Sequence, residues 1–127
     1  MKEEKRILIL PSWYPPDGGY FFKEHSEAIL KMGWKTDVLV CRLVGIRKLL
    51  QAGFSALRRY HVAHEEGLRV IRTSYRKLPG NEPYNIKGWG RHTLSTYRKY
   101  EQEFGRPDLL LAHSATWAGY AAFLIRQ

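Results

Sequence analysis

The sequence predicts an α/β fold, a Rossmann-like, doubly wound and mainly parallel sheet with a hairpin inserted in it. Three observations lead there. Short apolar runs without polar alternation, at Ile7 to Leu10, Val38 to Cys41 and Leu109 to Ala112, read as strands buried on both faces. Stretches of helical spacing or turn formers separate them, as in βαβ units. The 127 residues suit one domain, 1–127, and leave little room for a second.

The elements follow in order. Arg6 to Pro11 is the opening strand, and the turn formers Ser12 to Gly19 come next. Phe21, Phe22, His25, Ile29 and Met32 fall at helical spacing, and Gly33 stops that helix. Lys35 to Cys41 is the second buried strand. Ile46, Leu49, Leu50, Phe54 and Leu57 mark one face of a helix that carries Arg47, Lys48, Arg58 and Arg59. Tyr60 to Glu65 and Leu68 to Thr73 flank Glu66-Gly67 and read as strand, turn, strand. Ser74 to Trp89 holds Pro79, Gly80, Asn81, Pro83 and Gly88 and is expected to be a loop. Gly90 to Phe104 is expected to be helical, Asp108 to Ala112 a third parallel strand, and Thr116 to Arg126 a small-residue helix.

Composition bounds the function. Lys and Arg number 21 against 12 acids, a formal charge of +9, which attracts polyanions or phosphorylated ligands. The basic residues are spread along the chain, and no nucleic-acid-binding motif stands out, so nucleic acid is not the expected partner. A non-enzymatic basic module remains the rival reading. No apolar run nears the ~20 residues that cross a bilayer, and the N-terminus lacks the features of a signal peptide. A cytoplasmic protein is expected, with Ile46 to Arg59 as a segment that could rest on an anionic membrane surface. The single Cys41 closes an apolar run and reads as a buried small hydrophobe. His25, His61, His64 and His92 lack ligand spacing, so no metal site is expected.

In open parallel sheets, ligands bind beyond the carboxyl ends of the strands, where the strand order reverses. The Ser12–Gly19 loop and the His113–Gly119 segment should therefore be neighbours. Gly18-Gly19 before a helix offers close backbone approach and exposed amides to an anion, or simply makes a tight turn. His113, at a strand exit, can exchange hydrogen bonds with a sugar hydroxyl or sit satisfied in the core. Trp13, Tyr14 and Trp117 can stack on sugar faces or fill the core. Asp17, Glu24 and Ser114 can bind a polar ligand or act as caps and surface groups.

Leu8 to Pro15, Gly19 to His25 and Leu30 to Gly33 resemble the opening of retaining glycosyltransferases with the GT-B fold. The resemblance is to the glycosyl transferases group 1, family 4, which includes sucrose synthases and bacterial polysaccharide and lipid mannosyltransferases. Pro107 to His113 with Ala118 to Ala122 resembles that family's second N-domain signature, and Glu65 to Arg72 its middle strand. The likeness spans essentially the whole chain. It implies an N-terminal, acceptor-binding domain facing a second Rossmann-like domain that binds a nucleotide-sugar.

By that pattern, His113 is the active-site histidine and Gly18 and Gly19 face the donor phosphates. Trp13, Tyr14, Lys23, Ser114 and Trp117 would join the substrate site. The resemblance implies no metal or cofactor; the donor substrate is a nucleotide-diphosphate sugar and the acceptor a saccharide or lipid-linked saccharide. The sequence departs from the family at Leu111 and Trp34, where histidine is common. The donor-domain residues lie outside the 127, so the chain alone is expected to transfer little or no sugar.

Overall fold

A computed structural model describes residues 5–15, 18–53, 60–114 and 116–127. In order, they form β1 (Arg6–Leu10), α1 (Tyr20–Lys31), β2 (Lys35–Gly45), α2 (Ile46–Ala52), β3 (His61–Glu65), β4 (Leu68–Lys77), α3 (Glu82–Phe104), β5 (Leu109–Ala112) and α4 (Trp117–Arg126). The sheet has five strands in the order β3-β4-β2-β1-β5. The β4–β2, β2–β1 and β1–β5 pairs are parallel, and only β3 runs antiparallel, joined to β4 by the Glu66-Gly67 turn. The fold is thus α/β with a mostly parallel sheet, and the expected hairpin occupies one edge.

Alternation along the strands sorts the core into two layers. Leu8, Leu10, Leu39, Cys41 and Ile71 face α3 and α4, meeting Trp89, Tyr97, Tyr100, Trp117, Ala118 and Ala121. Ile7, Ile9, Val38, Val40, Leu68 and Val70 face the other side, where Ile29 and Leu30 of α1 pack with Trp34 and Tyr14. Both faces are therefore covered, which explains why β1 reads as an unbroken apolar run. Cys41 is buried, and burial pushes its thiol up to about 12.

Two sequence expectations need correction. β2 runs on to Gly45, pairing residue by residue with β4 as far as Lys77. The expected Ser74–Trp89 loop is instead the end of β4, a short turn and the first two turns of α3. The loop-forming residues there act as helix-start signals. Asn81 caps α3 by accepting the Tyr84 amide at 3.2 Å, and Pro83 sits in the first turn, where its missing N–H costs nothing. Buried Asn85 clamps the turn, accepting Leu78 N–H at 2.9 Å and donating to Leu78 C=O at 2.6 Å. Gly90 is tolerated inside the helix because the Tyr120 ring of α4 fills the space: an added Cβ would come within 2.6 Å of it. The expected helix from Ile46 to Arg59 is seen over Ile46–Ala52; residues 54–59 lie outside the described residues.

The amino end of the sheet is fastened by a charged network. Asp37, 1% exposed, takes a bidentate pair from Arg69 at 3.0 and 2.7 Å and the Tyr100 hydroxyl at 2.5 Å. Arg6 approaches the same carboxylate at 3.8 Å and donates to the Phe104 and Gly105 carbonyls, tying the end of α3 to β1. This network lies at the opposite end of the strands from the loops considered next.

Candidate functional site

β1 and β5 are parallel neighbours, with Leu10 opposite Ala112, so the segments leaving them emerge side by side. The ladder continues one step further, His113 N–H donating to Leu10 C=O at 3.0 Å. Beyond it the Ser12 and Ser114 hydroxyls meet at 2.6 Å, and Ser12 Oγ accepts the Ala118 amide at 3.3 Å. The two loops that stood out in sequence are thus joined at the carboxyl end of the sheet, as the strand order requires. This junction also holds the amino end of α4.

α1 begins at the same end. Gly19, at φ 71°, precedes it, and its carbonyl accepts the Phe22 and Lys23 amides at 3.0 and 3.2 Å. The first two turns then deliver two side chains to His113. The Phe22 ring stacks on the imidazole at 4.7 Å between centroids. His25 Nδ1 lies 3.0 Å from His113 Nε2, a hydrogen bond between imidazoles. The other ring nitrogen of His113, Nδ1, is buried with no partner among the described residues. Burial, and then the neighbouring His25, lower the pKa of His113 below the usual histidine value.

Sequence reasoning missed His25 as a site residue. Its position carried the signal: a helix following a parallel strand starts at the strand's carboxyl end, so its first turns overlook the neighbouring strand exits. Phe22 is one turn from it on the same side of the helix. Phe21 is 73% exposed and stacks on His25 at 6.5 Å, so it forms the outer rim of this corner.

The other candidates divide. Trp13 is exposed, which leaves it available to a ligand. Tyr14 is turned inward, 2% exposed, beneath the Arg72 guanidinium at 5.5 Å. Its hydroxyl finds no partner among the described residues, and burial raises its pKa to about 12. Trp117 is also a core residue, edge-on to Trp89 at 5.8 Å. Lys23 reaches sideways to Glu66 of the hairpin turn at 3.2 Å and to Glu27 at 3.8 Å. Ser114 is held by Ser12. Gly18, at φ 110°, has open space where a Cβ would stand, whereas a Cβ on Gly19 would collide with the Trp13 carbonyl. The close approach that Gly19 permits is therefore that of its own loop. Asp17 lies outside the described residues.

Clefts also open away from this corner. One of about 330 Å³ lies among β2, β3 and β4, lined by Arg42, His61, Glu65, Arg72 and Ser74. There Arg72 is bidentate to Glu65 at 3.0 and 2.9 Å. Another, of about 410 Å³, lies between Tyr75 and the Tyr84–His92 face of α3. Among the described residues no cluster of three or more His, Cys, Asp or Glu side chains could hold a metal ion, and no helix is long and apolar enough to cross a membrane.

Comparison with protein families, with characterised proteins and with solved structures finds no match to this chain. The corner itself offers hydroxyl-directed chemistry: an imidazole pair, a serine pair, exposed aromatic faces and the glycine-led start of a helix, whose amides favour anions.

Proposed function

We propose that this chain is the N-terminal, acceptor-side domain of a retaining GT-B glycosyltransferase. The enzyme would move a sugar from a nucleotide-diphosphate donor to a saccharide or lipid-linked acceptor in polysaccharide or cell-envelope biosynthesis. The observation that carries the reading is the meeting of the two resembling segments: His113 lies beside Phe22 and His25 in the helix that Gly19 opens. Two signatures far apart in sequence converge at one sheet end, where α/β folds bind ligands. Backbone amides at Gly18 and Gly19, with basic groups of a facing donor domain, would hold the leaving diphosphate without a metal. In this reading the protein is cytoplasmic and peripheral to the membrane, with α2 as the contact: Leu50 is 81% exposed beside exposed Arg47 and Lys48.

A mass-spectrometric or radiolabelled transfer assay tests it. With a donor-binding domain in place, sugar transfer is expected, and His113→Ala, which breaks the imidazole pair with His25, should lower it by about tenfold or more. The 127 residues alone should bind acceptor without turnover; robust transfer by them would sink the reading. So would salt-dependent binding of random-sequence DNA or RNA with no response to nucleotide-sugars. That second result would favour the basic binding module.

A further inference from the structure

The hydrogen-bond inventory of the corner says which imidazole can reach a ligand. His113 is half-buried, with the Phe22 ring on its face and His25 Nδ1 against its Nε2. Its Nδ1 is sealed from solvent. Both nitrogens of His113 are therefore closed to an incoming molecule. His25 is exposed, and among the described residues only its Nδ1 is engaged, which leaves Nε2 open.

The proton positions follow from the same geometry. One of the two facing nitrogens must carry hydrogen and the other a lone pair. If His25 donated, neutral His113 would hold its proton on buried Nδ1, an orphaned N–H. Buried N–H groups without an acceptor are rarer than underused acceptors. The favoured arrangement puts the proton on His113 Nε2, donating to His25 Nδ1. Neutral His25 then carries its own proton on Nε2 and presents an N–H to solvent. Exposed Phe21 beside it and Trp13 on the adjoining loop supply apolar faces of the kind sugar rings stack on.

We infer that His25 is the histidine that meets the acceptor saccharide, donating a hydrogen bond from Nε2 to a sugar oxygen, and that His113 is its positioning residue. This rests on the proposed acceptor-side role and assigns the direct contact within it. His113 fixes the ring orientation and tautomer of His25, as a carboxylate or carbonyl does for many functional histidines.

Nitrogen-15 histidine spectra of the 127-residue chain, followed during titration with methyl mannoside and methyl glucoside, test the assignment. Before sugar is added, both His25 and His113 should show the Nε2-protonated tautomer. An Nδ1-protonated His113 would overturn the inference. On titration the His25 Nε2 signal should move most. His25→Ala should weaken binding about tenfold, and His113→Ala should do so to a similar extent while releasing His25 into mixed tautomers. The double variant should bind no worse than His25→Ala. His25→Gln, which keeps an N–H donor, should restore much of the affinity; a variant that merely damaged the fold would not be rescued this way. Sugar that shifts the Trp13 indole signal but leaves His25 untouched would overturn the inference and leave the glycosyltransferase reading standing. Sugar that shifts nothing would overturn both.

Discussion

Ser12 and Ser114, 102 residues apart in sequence, place their hydroxyls 2.6 Å from each other where β1 and β5 end. One bond thus closes the loop after the first strand onto the loop after the last. Through Ser12 it also anchors the Ala118 amide at the start of α4. The candidate site is assembled around this junction, since His113 precedes Ser114 and the Gly19 turn completes the loop that Ser12 begins.

The two serines should not be equivalent. Ser12→Ala removes the partner of Ser114 and leaves the Ala118 amide without its acceptor, at a cost of about 1–2 kcal/mol. Ser114→Ala leaves the Ala118 contact in place and should cost about 1 kcal/mol or less. Urea denaturation of the two variants measures the difference. Equal losses would mean that Ser12 does not cap α4.

At the other end of the sheet, Asp37 should dominate stability. Its carboxylate is buried and receives two N–H donors of Arg69 and the Tyr100 hydroxyl. Asp37→Ala leaves the part-buried Arg69 guanidinium uncompensated, and breaking such a pair costs about 3–5 kcal/mol. Tyr100→Phe removes one charge-assisted bond and should cost about 1.5–3 kcal/mol. Chemical denaturation decides the ranking; an Asp37→Ala variant less damaged than Tyr100→Phe would contradict it.

Sequence and structure agree where burial alone writes the pattern. β1 and β2 are covered on both faces, so their apolar runs could be placed without tertiary information. β5 was placed by the same pattern, but it lies at the sheet edge and is only partly buried, with Leu109 49% exposed, so the expectation of a strand buried on both faces fails there. The meeting of the Ser12 loop with His113 also followed, because parallel order fixes which strand exits are adjacent. The reading failed where one residue type serves two local structures. Asn81 and Pro83 make turns elsewhere but here cap and start α3. The two turns of helix from Glu82 became visible only with Asn85 clamped on Leu78. Tyr14 and Trp117 flank the site in sequence yet point into the core, since side-chain direction at a loop depends on packing partners far along the chain. His25 was within reach of sequence reasoning through its helix position, but the 3.0 Å contact with His113 required coordinates.

The glycine pair offers a matched comparison. Both residues adopt positive φ, 110° at Gly18 and 71° at Gly19, so an alanine is strained at either place. At Gly18 only that backbone strain applies, about 1–3 kcal/mol, because the space around it is open. At Gly19 the new methyl also meets the Trp13 carbonyl, a backbone group that cannot swing aside. Gly19→Ala should therefore exceed Gly18→Ala by about 1–3 kcal/mol in a denaturation experiment. It should also perturb the His25 and His113 signals, since displacing the loop moves the start of α1. Equal costs at the two sites would show that Trp13 is not held where the structure places it.

Acid should weaken the fold through its half-buried histidines. His113 is held below the ordinary histidine pKa by burial and by His25, and His92 by burial and then Lys99. Each group therefore binds its proton more weakly in the folded chain than in the unfolded one. Where the unfolded state holds more protons, stability rises with pH. The contribution is complete above the unfolded value of about 6.5 and is lost as pH falls from there toward the lower folded-state pKa. Denaturation midpoints measured between about pH 7.5 and about pH 5 should fall on acidification. His113→Gln should flatten part of that slope, and a second change, His92→Gln, should flatten more of it. The absolute midpoint of the double variant is not the readout, because His92 also bonds Thr73 Oγ1 at 3.0 Å and its loss costs stability at every pH. A midpoint that rises on acidification, or a slope indifferent to both substitutions, would mean that neither imidazole is held neutral by the fold.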